Sequence, residues 1–258
     1  MPTPAIFTAV INGYLPEPHA SLLNGIIFGT PLKTSRQFYD QLRIVGLLHI
    51  VVLSGMNITI LATLIATLTR IFSKLISVLL TILTIIFFVI FVGPQASIIR
   101  AGLMGIFTLV AILFGRKNVA LYSLFLSGIF IAILWPQWLT TVSFQLSYGA
   151  TLGIILFGQT KSASELWQEL KITLAAQVLT VPIIFHYFRQ VSLISPLANL
   201  LVAPVIPPLM IFGFLTAILG KIHFVFGLLP AYISYGLLSY LVFVVQLLAN
   251  IPFASISF

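Results

Sequence analysis

The residues in this chain that could take part in chemistry are few, and most lie inside long apolar runs. His49, Ser54 and Asn57 fall within Ile44–Thr69, a run without Asp, Glu, Lys or Arg. Arg100 sits early in a second run, Ser97–Phe114. In a third, Thr140, Ser143, Ser147 and Thr151 lie within about 80° of one another at roughly 100° per residue, one stripe of a helix. Ser97, Arg100, Ala101, Met104 and Thr108 share a face of their run, and Thr173, Gln177 and Thr180 share a face of another. Such stripes serve either close helix packing with interhelical hydrogen bonds, which the GxxxG of Gly149 and Gly153 favours, or the lining of a polar path.

Arg100 has two placements open to it. It snorkels to the interface, or it faces inward as a functional group, since a charge at mid-bilayer costs about 2.5–3.5 kcal/mol. His49, Ser54 and Asn57 would share one wedge of a continuous helix, but Gly55 predicts a break. An unwound turn exposes backbone groups that a substrate can use, as at transport sites. A lone His in an apolar run also serves as a hydrogen-bonded core residue. Gln145 and Asn199 are further uncharged hydrogen-bonding candidates.

Much chemistry is excluded. There is no cysteine, hence no disulfide or thiolate. Neither a P-loop, a dinucleotide fingerprint nor HExxH occurs. The acids Glu17, Asp40, Glu165 and Glu169 lie outside the apolar runs, so no intramembrane carboxylate pair is expected. His49 beside Ser54-Gly55 hints at a serine hydrolase, but a fuller nucleophile signature and a placed base are missing. No enzyme activity, catalytic residue, metal or cofactor is expected.

The elements that must position these residues follow from composition. Of 258 residues, 60% are hydrophobic and 6% charged, with a mean hydropathy of +1.19. That is too little polar surface to face water, so lipid must cover most of the chain. Backbone groups in hydrocarbon are satisfied internally, and the alternation of a membrane barrel is absent, so the fold is predicted to be all-α, a polytopic transmembrane helix bundle of about eight spans. No cleavable signal peptide is evident in residues 1–20.

Residues 1–43 read as an N-terminal segment. Ser21–Gly29 is apolar but too short to span, and Lys33–Arg43 reads as an amphipathic helix in the interface or, alternatively, a connector, with Phe38, Leu42 and Val45 at helical spacing. Residues 44–258 form the transmembrane domain. Ile44–Thr69 would be roughly 39 Å as one helix, so a half-helix to Leu53, a break and a span to Thr69 are expected. Further spans are Leu75–Val92, Ser97–Phe114, Val119–Trp135, Trp138–Phe157, Leu170–Phe188 (kinked at Pro182), the proline-broken, re-entrant-like Ser192–Ile218, and Pro230–Ile251, with a polar loop at Gly158–Gln168. Alternating spans put Arg70, Lys74, Arg116, Lys117, Lys161, Lys171 and Lys221 on one side and Lys33, Arg36, Arg43 and Arg189 on the other. The richer side is expected to be cytoplasmic, with both ends of the chain outside.

Four segments in order resemble the membrane domain of the ComEC-type competence family of DNA-internalisation proteins. Leu48-His49-Ile50-Val51-Val52-Leu53-Ser54-Gly55-Met56-Asn57 is similar to its His-Leu-Leu-x-x-Ser-Gly-Leu-His signature, with Asn57 where the family has His. Ser97-Ile98-Ile99-Arg100-Ala101-Gly102-Leu103-Met104 resembles Ser-x-x-Arg-Ala-x-x-Met. Ser143-Phe144-Gln145-Leu146-Ser147-Tyr148-Gly149-Ala150 resembles Phe-Gln-Leu-Ser-Phe-x-Ala, and Pro196–Pro204 resembles Ala-Asn-x-x-x-x-Pro. The resemblance runs from about Ser21 to Ile218. It implies carriage of single-stranded DNA across the cytoplasmic membrane in natural transformation; the corresponding hypothesis is a channel subunit, paired as a homodimer, with an unidentified DNA receptor and cytoplasmic motor as partners. Full-length members also carry an external OB-like domain and often a metallo-β-lactamase-like domain, neither of which is visible in these residues. Asn57 keeps hydrogen bonding but not titration, which argues against a proton-linked or metal role there.

On this reading the substrate path would include His49, Ser54, Gly55, Asn57, Arg100, Gln145, Ser147 and Asn199. DNA also needs positive potential and stacking surfaces; Arg189 could add charge, and Lys33, Arg36 and Arg43 could form a mouth. Two other functions stay open: a small-solute secondary transporter, suggested by the broken proline-rich helices, and a truncated membrane scaffold, suggested by the missing external domains.

Overall fold

With so little polar surface, the chain satisfies its backbone inside helices. A computed structural model describes residues 4–51, 54–117, 119–158 and 165–257, and side chains for all of these but 165, 166 and 257. Among the described residues the helices are α1 (Ala5–Tyr14), α2 (His19–Phe28), α3 (Arg36–Val45), α4 (Leu48–Val51), α5 (Gly55–Leu68), α6 (Lys74–Val92), α7 (Ala96–Leu113), α8 (Ala120–Leu134), α9 (Val142–Phe157), α10 (Glu165–Phe188), α11 (Ser195–Val202), α12 (Ile206–Ile222) and α13 (Phe224–Ala249). Two three-residue strands, β1 (Gln190–Ser192) and β2 (Ser255–Ser257), pair antiparallel with Val191 opposite Ile256. Five helical stretches are long and apolar enough to cross a membrane: Lys74–Val92, Ala96–Leu113, Trp167–Phe188, Ser195–Ile222 and Phe224–Ala249. The predicted all-α class holds, apart from the β1–β2 pair.

The chain divides into two compact units, Met1–Leu53 with Phe188–Phe258, and Ser54–Tyr187. In the first, the α12–α13 hairpin is the scaffold, and α1, α2, α3 and α11 pack on it. Helix α2 is buried along its length from Ala20 to Phe28. That explains why the apolar Ser21–Gly29 segment is too short to span: it fills a protein core. Ser35 caps α3, its hydroxyl accepting from the Phe38 amide at 3.3 Å. The apolar stripe of α3, Phe38, Leu42 and Val45, is buried in protein, with α13 as a packing partner, and is not left for acyl chains. Lys33 precedes α3, and its amide donates to Ser21 Oγ at 2.6 Å.

In the second unit α5, α6 and α7 pack on one another, α7 continues onto α8 and α9, and α9 meets α10. The Gly149/Gly153 pair does the packing work the sequence suggested. A Cβ at Gly149 would lie 3.2 Å from Ile183 Cδ1, and one at Gly153 would collide with the Ala175 carbonyl oxygen, so the α9 and α10 backbones nearly touch.

Several boundaries differ from expectation. Helix α1 forms in the N-terminal segment, at residues to which the sequence assigns no element. Helix α13 starts at Phe224 and runs through Pro230, which deprives the Phe226 carbonyl of its helical amide partner. Helix α9 starts at Val142, capped by Thr141, and Trp135 stacks on Trp138 at 4.9 Å in the turn before it. Thr140 therefore sits outside the polar stripe. Glu165–Gln168 extend α10 rather than forming loop, and α10 continues through Pro182. Of the half-helix expected from Ile44 to Leu53, Ile44 and Val45 belong to α3, which is capped at Gly46, and only the short α4 follows; residues 52–53, and loop residues 159–164 with Lys161, lie outside the described residues.

Gly153→Leu is expected to destabilise the fold by about 1–3 kcal/mol through overpacking against backbone. Gly236→Ala, which meets open space, is expected to be neutral or stabilising by up to about 1 kcal/mol. Reversible unfolding of the purified protein in mixed micelles measures both.

Candidate functional site

In a bundle this apolar, a positive charge can stay buried only where other helices bring it hydrogen-bond acceptors. The site forms where α7, α9 and the start of α5 meet in the second unit. Helix α7 begins after Gly93-Pro94, which puts Arg100 in its second turn, and Arg100 is only 9% exposed. Of its two possible placements, the inward one is realised. Ser147 and Thr151 are one turn apart on α9 and present adjacent hydroxyls to it.

Arg100 Nε donates to Ser147 Oγ at 2.8 Å, and Nη1 donates to Thr151 Oγ1 and, at 3.7 Å, to Met104 Sδ. Thr151 Oγ1 in turn donates to the Ser147 carbonyl at 2.9 Å. Its only hydroxyl proton is thus spent on backbone, leaving its lone pairs to the guanidinium. Thr108 repeats the device on α7, donating to the Met104 carbonyl at 2.8 Å. Among the described residues the hydrogen-bond partners of Arg100 are all uncharged, so its charge is solvated by dipoles.

The far side of the guanidinium abuts the first residue of α5. A Cβ at Gly55 would lie 2.7 Å from Arg100 Nη2 and 3.1 Å from Ala101 Cβ. The break at residue 54 is what brings backbone this close. Ser54 is extended (φ −114°, ψ 168°), and its hydroxyl donates to Asn57 Oδ1 at 3.4 Å. Asn57 is 1% exposed. Ser54, Gly55, Asn57, Arg100 and Ser147 are therefore brought together.

The remaining expected residues are placed differently. Gln145 is half-buried and about 200° around α9 from Ser147, off the arginine face, with no side-chain hydrogen bond among the described residues. His49 and Asn199 belong to the first unit. His49 is exposed, and its Nδ1–H donates to the Gly46 carbonyl at 2.9 Å. Asn199 is half-buried, and its Oδ1 has no partner among the described residues.

Sequence reasoning missed three polar pairs. Tyr148 donates to Ser127 at 2.8 Å, the Ser127 proton being used on the Leu124 carbonyl. In the first unit Asn24 donates to Asn12 at 2.8 Å, and His19 Nε2 meets Ser239 Oγ at 3.0 Å. Asn12, His19 and Asn24 lie in segments too short to read as spans, so nothing in the pattern marked their partners.

The arrangement offers a preset positive group with neutral partners, open to an anion or acting as a clasp between α7 and α9. Comparison with known proteins narrows the choice. A family model described as competence protein matches residues 26–258. The chain is also similar to ComE operon protein 3 of Bacillus subtilis (strain 168), 26% identical over 199 residues, which is 75% of this chain and 25% of that protein. The chain thus spans about a quarter of the length of that relative. No solved structure matches it.

Arg100→Met combined with Ser147→Ala in a double-mutant cycle is expected to give a coupling of about 0.6–1.7 kcal/mol, the range for buried polar pairs in helical membrane proteins. Unfolding in mixed micelles measures it, and zero coupling would remove the clasp.

Proposed function

We propose that this chain, which belongs to the competence protein family, is a membrane-embedded conduit component that passes single-stranded DNA across the cytoplasmic membrane. Family membership supports a DNA-uptake role. The observation that supports a conduit is Arg100, buried yet held only by neutral groups. A carboxylate partner would compete with phosphate; two hydroxyls orient the guanidinium without neutralising it. A sparse set of cations also suits transit, because binding must be weak enough for a strand to leave. Asn57, where the family resemblance has His, then contributes hydrogen bonding rather than proton transfer, and no catalytic step is assigned to the chain.

The same reading sets the membrane arrangement. Adding the shorter apolar helices α5, α8 and α9 to the five long stretches gives eight spans. Helices of 14 to 16 residues are about 21–24 Å long, so the bilayer would thin around them. Arg70, Lys74, Arg116, Lys117, Lys171 and Lys221 then face the cytoplasm, and α3 lies at the outer interface with its charged face in water. His49 and Asn199 of the first unit, and Gln145 on another face of α9, are further path candidates, and two copies pair as a homodimer. A second reading, a small-solute transporter, is favoured by the proline-interrupted α11–α12 segment Ser195–Ile222. Solute flux in proteoliposomes without DNA would support it instead.

In cells lacking the endogenous protein, Arg100→Ala is expected to lower single-stranded DNA uptake about tenfold or more at unchanged membrane level, and Gln145→Leu a few-fold. Arg100→Lys, which keeps the charge but loses the fork, should fall between Arg100→Ala and wild type. Wild-type uptake in Arg100→Ala and Gln145→Leu would contradict the conduit.

A further inference from the structure

A second charged feature of the Ser54–Tyr187 unit takes no part in the arginine cluster. Helix α5 ends at Leu68 and α6 begins at Lys74, and the turn between them, with the last turns of α7, encloses a pocket of about 360 Å³. Its rim carries Arg70 and Lys74, both exposed, and its wall is Ala66, Val78, Leu109 and Ile112. Between rim and wall stands Ser77, whose hydroxyl donates to Thr69 Oγ1 at 2.8 Å, the Thr69 proton being spent on the Ile65 carbonyl. The next hydroxyl down, Thr81, is turned onto the Ser77 carbonyl at 2.8 Å and offers no donor to the pocket. Polarity therefore falls away from rim to floor. One turn beyond Ile112, Arg116 and Lys117 follow the end of α7 and add two exposed cations at the same end of the unit.

Two exposed cations above an apolar wall suit a molecule with an anionic head and a hydrocarbon tail. We propose that this pocket binds the phosphodiester headgroup of an anionic phospholipid, with an acyl chain lying along Ala66, Val78, Leu109 and Ile112. A basic pocket between helix ends at the membrane surface is a recurrent headgroup site, and each cation there favours an anionic lipid. A nucleic-acid strand would satisfy the rim but has no use for the apolar wall, so the lipid fits more of the pocket. The proposal rests on the chain being membrane-embedded, not on its carrying DNA.

Native mass spectrometry of the full chain, purified in mild detergent with equal phosphatidylglycerol and phosphatidylcholine, tests it. The wild type should retain phosphatidylglycerol preferentially. Arg70→Gln with Lys74→Gln should lower that retention about tenfold, with phosphatidylcholine unchanged. Ala66→Phe, which keeps both charges and crowds the wall, should lower it as well, so the test survives if the double variant fails to fold. Lys221→Gln should leave it unaltered. Equal retention of both lipids by the wild type, or phosphatidylglycerol adducts undiminished in the rim and wall variants, would overturn the proposal. Displacement of the lipid by inorganic phosphate or by a short oligothymidylate at matched phosphate concentration would also overturn it, reassigning the rim to free phosphate or to nucleic acid.

Discussion

A guanidinium enclosed by apolar helices must recover from the protein the hydrogen bonds it leaves behind in water. Arg100 does so through Ser147, Thr151 and Met104, each uncharged, and this requirement sets much of the second unit. Helix α9 must present two hydroxyls one turn apart. Helix α7 must carry the arginine one turn inside its start rather than at its rim. Helix α5 begins with a residue that has no side chain, which spares the guanidinium a shift, because a Cβ at Gly55 would lie 2.7 Å from its third nitrogen. The start of α5 at Gly55 is thus part of the arginine's accommodation.

The small residues on α9 divide the labour by face. Ser147 and Thr151 turn to α7, while Gly149 and Gly153 let α10 approach to backbone contact. Interhelical hydrogen bonding and close backbone packing thus occupy different sides of one helix. The first unit solves a different problem. Its α12–α13 hairpin packs against α2, whose buried Asn24 donates to the exposed Asn12, while the half-buried His19 meets Ser239. Ser234 Oγ and Asn199 Oδ1 are buried without a partner among the described residues.

The helical class, the long apolar spans and the break near Gly55 were legible because each follows from local composition. Leu75–Val92 and Ser97–Phe114 came within a residue or two of α6 and α7, since Gly93-Pro94 and Gly115 mark the ends. The Arg100 and Ser147/Thr151 stripes could each be read at helical period. That they meet could not, because facing is a property of two helices and the pattern reports one. Helix α1, the buried role of α2 and the β1–β2 pair escaped for the same reason: each is stabilised by partners far along the chain, such as Ser255–Ser257 for Gln190–Ser192. Gln145 shows the limit within a motif, since two residues along a helix change the face completely.

The central claim is that the polar face around Arg100 borders a water-accessible route and not lipid. The chain has no cysteine, so a single Ser147→Cys can be probed in the native membrane, with Phe125→Cys, on a side chain 66% exposed, as the lipid-facing reference. Ser147→Cys should be labelled by a charged, water-borne methanethiosulfonate, and single-stranded DNA should slow the labelling, while Phe125→Cys should react only with a lipid-soluble maleimide. Labelling of Ser147→Cys by the lipid-soluble reagent alone would contradict the account.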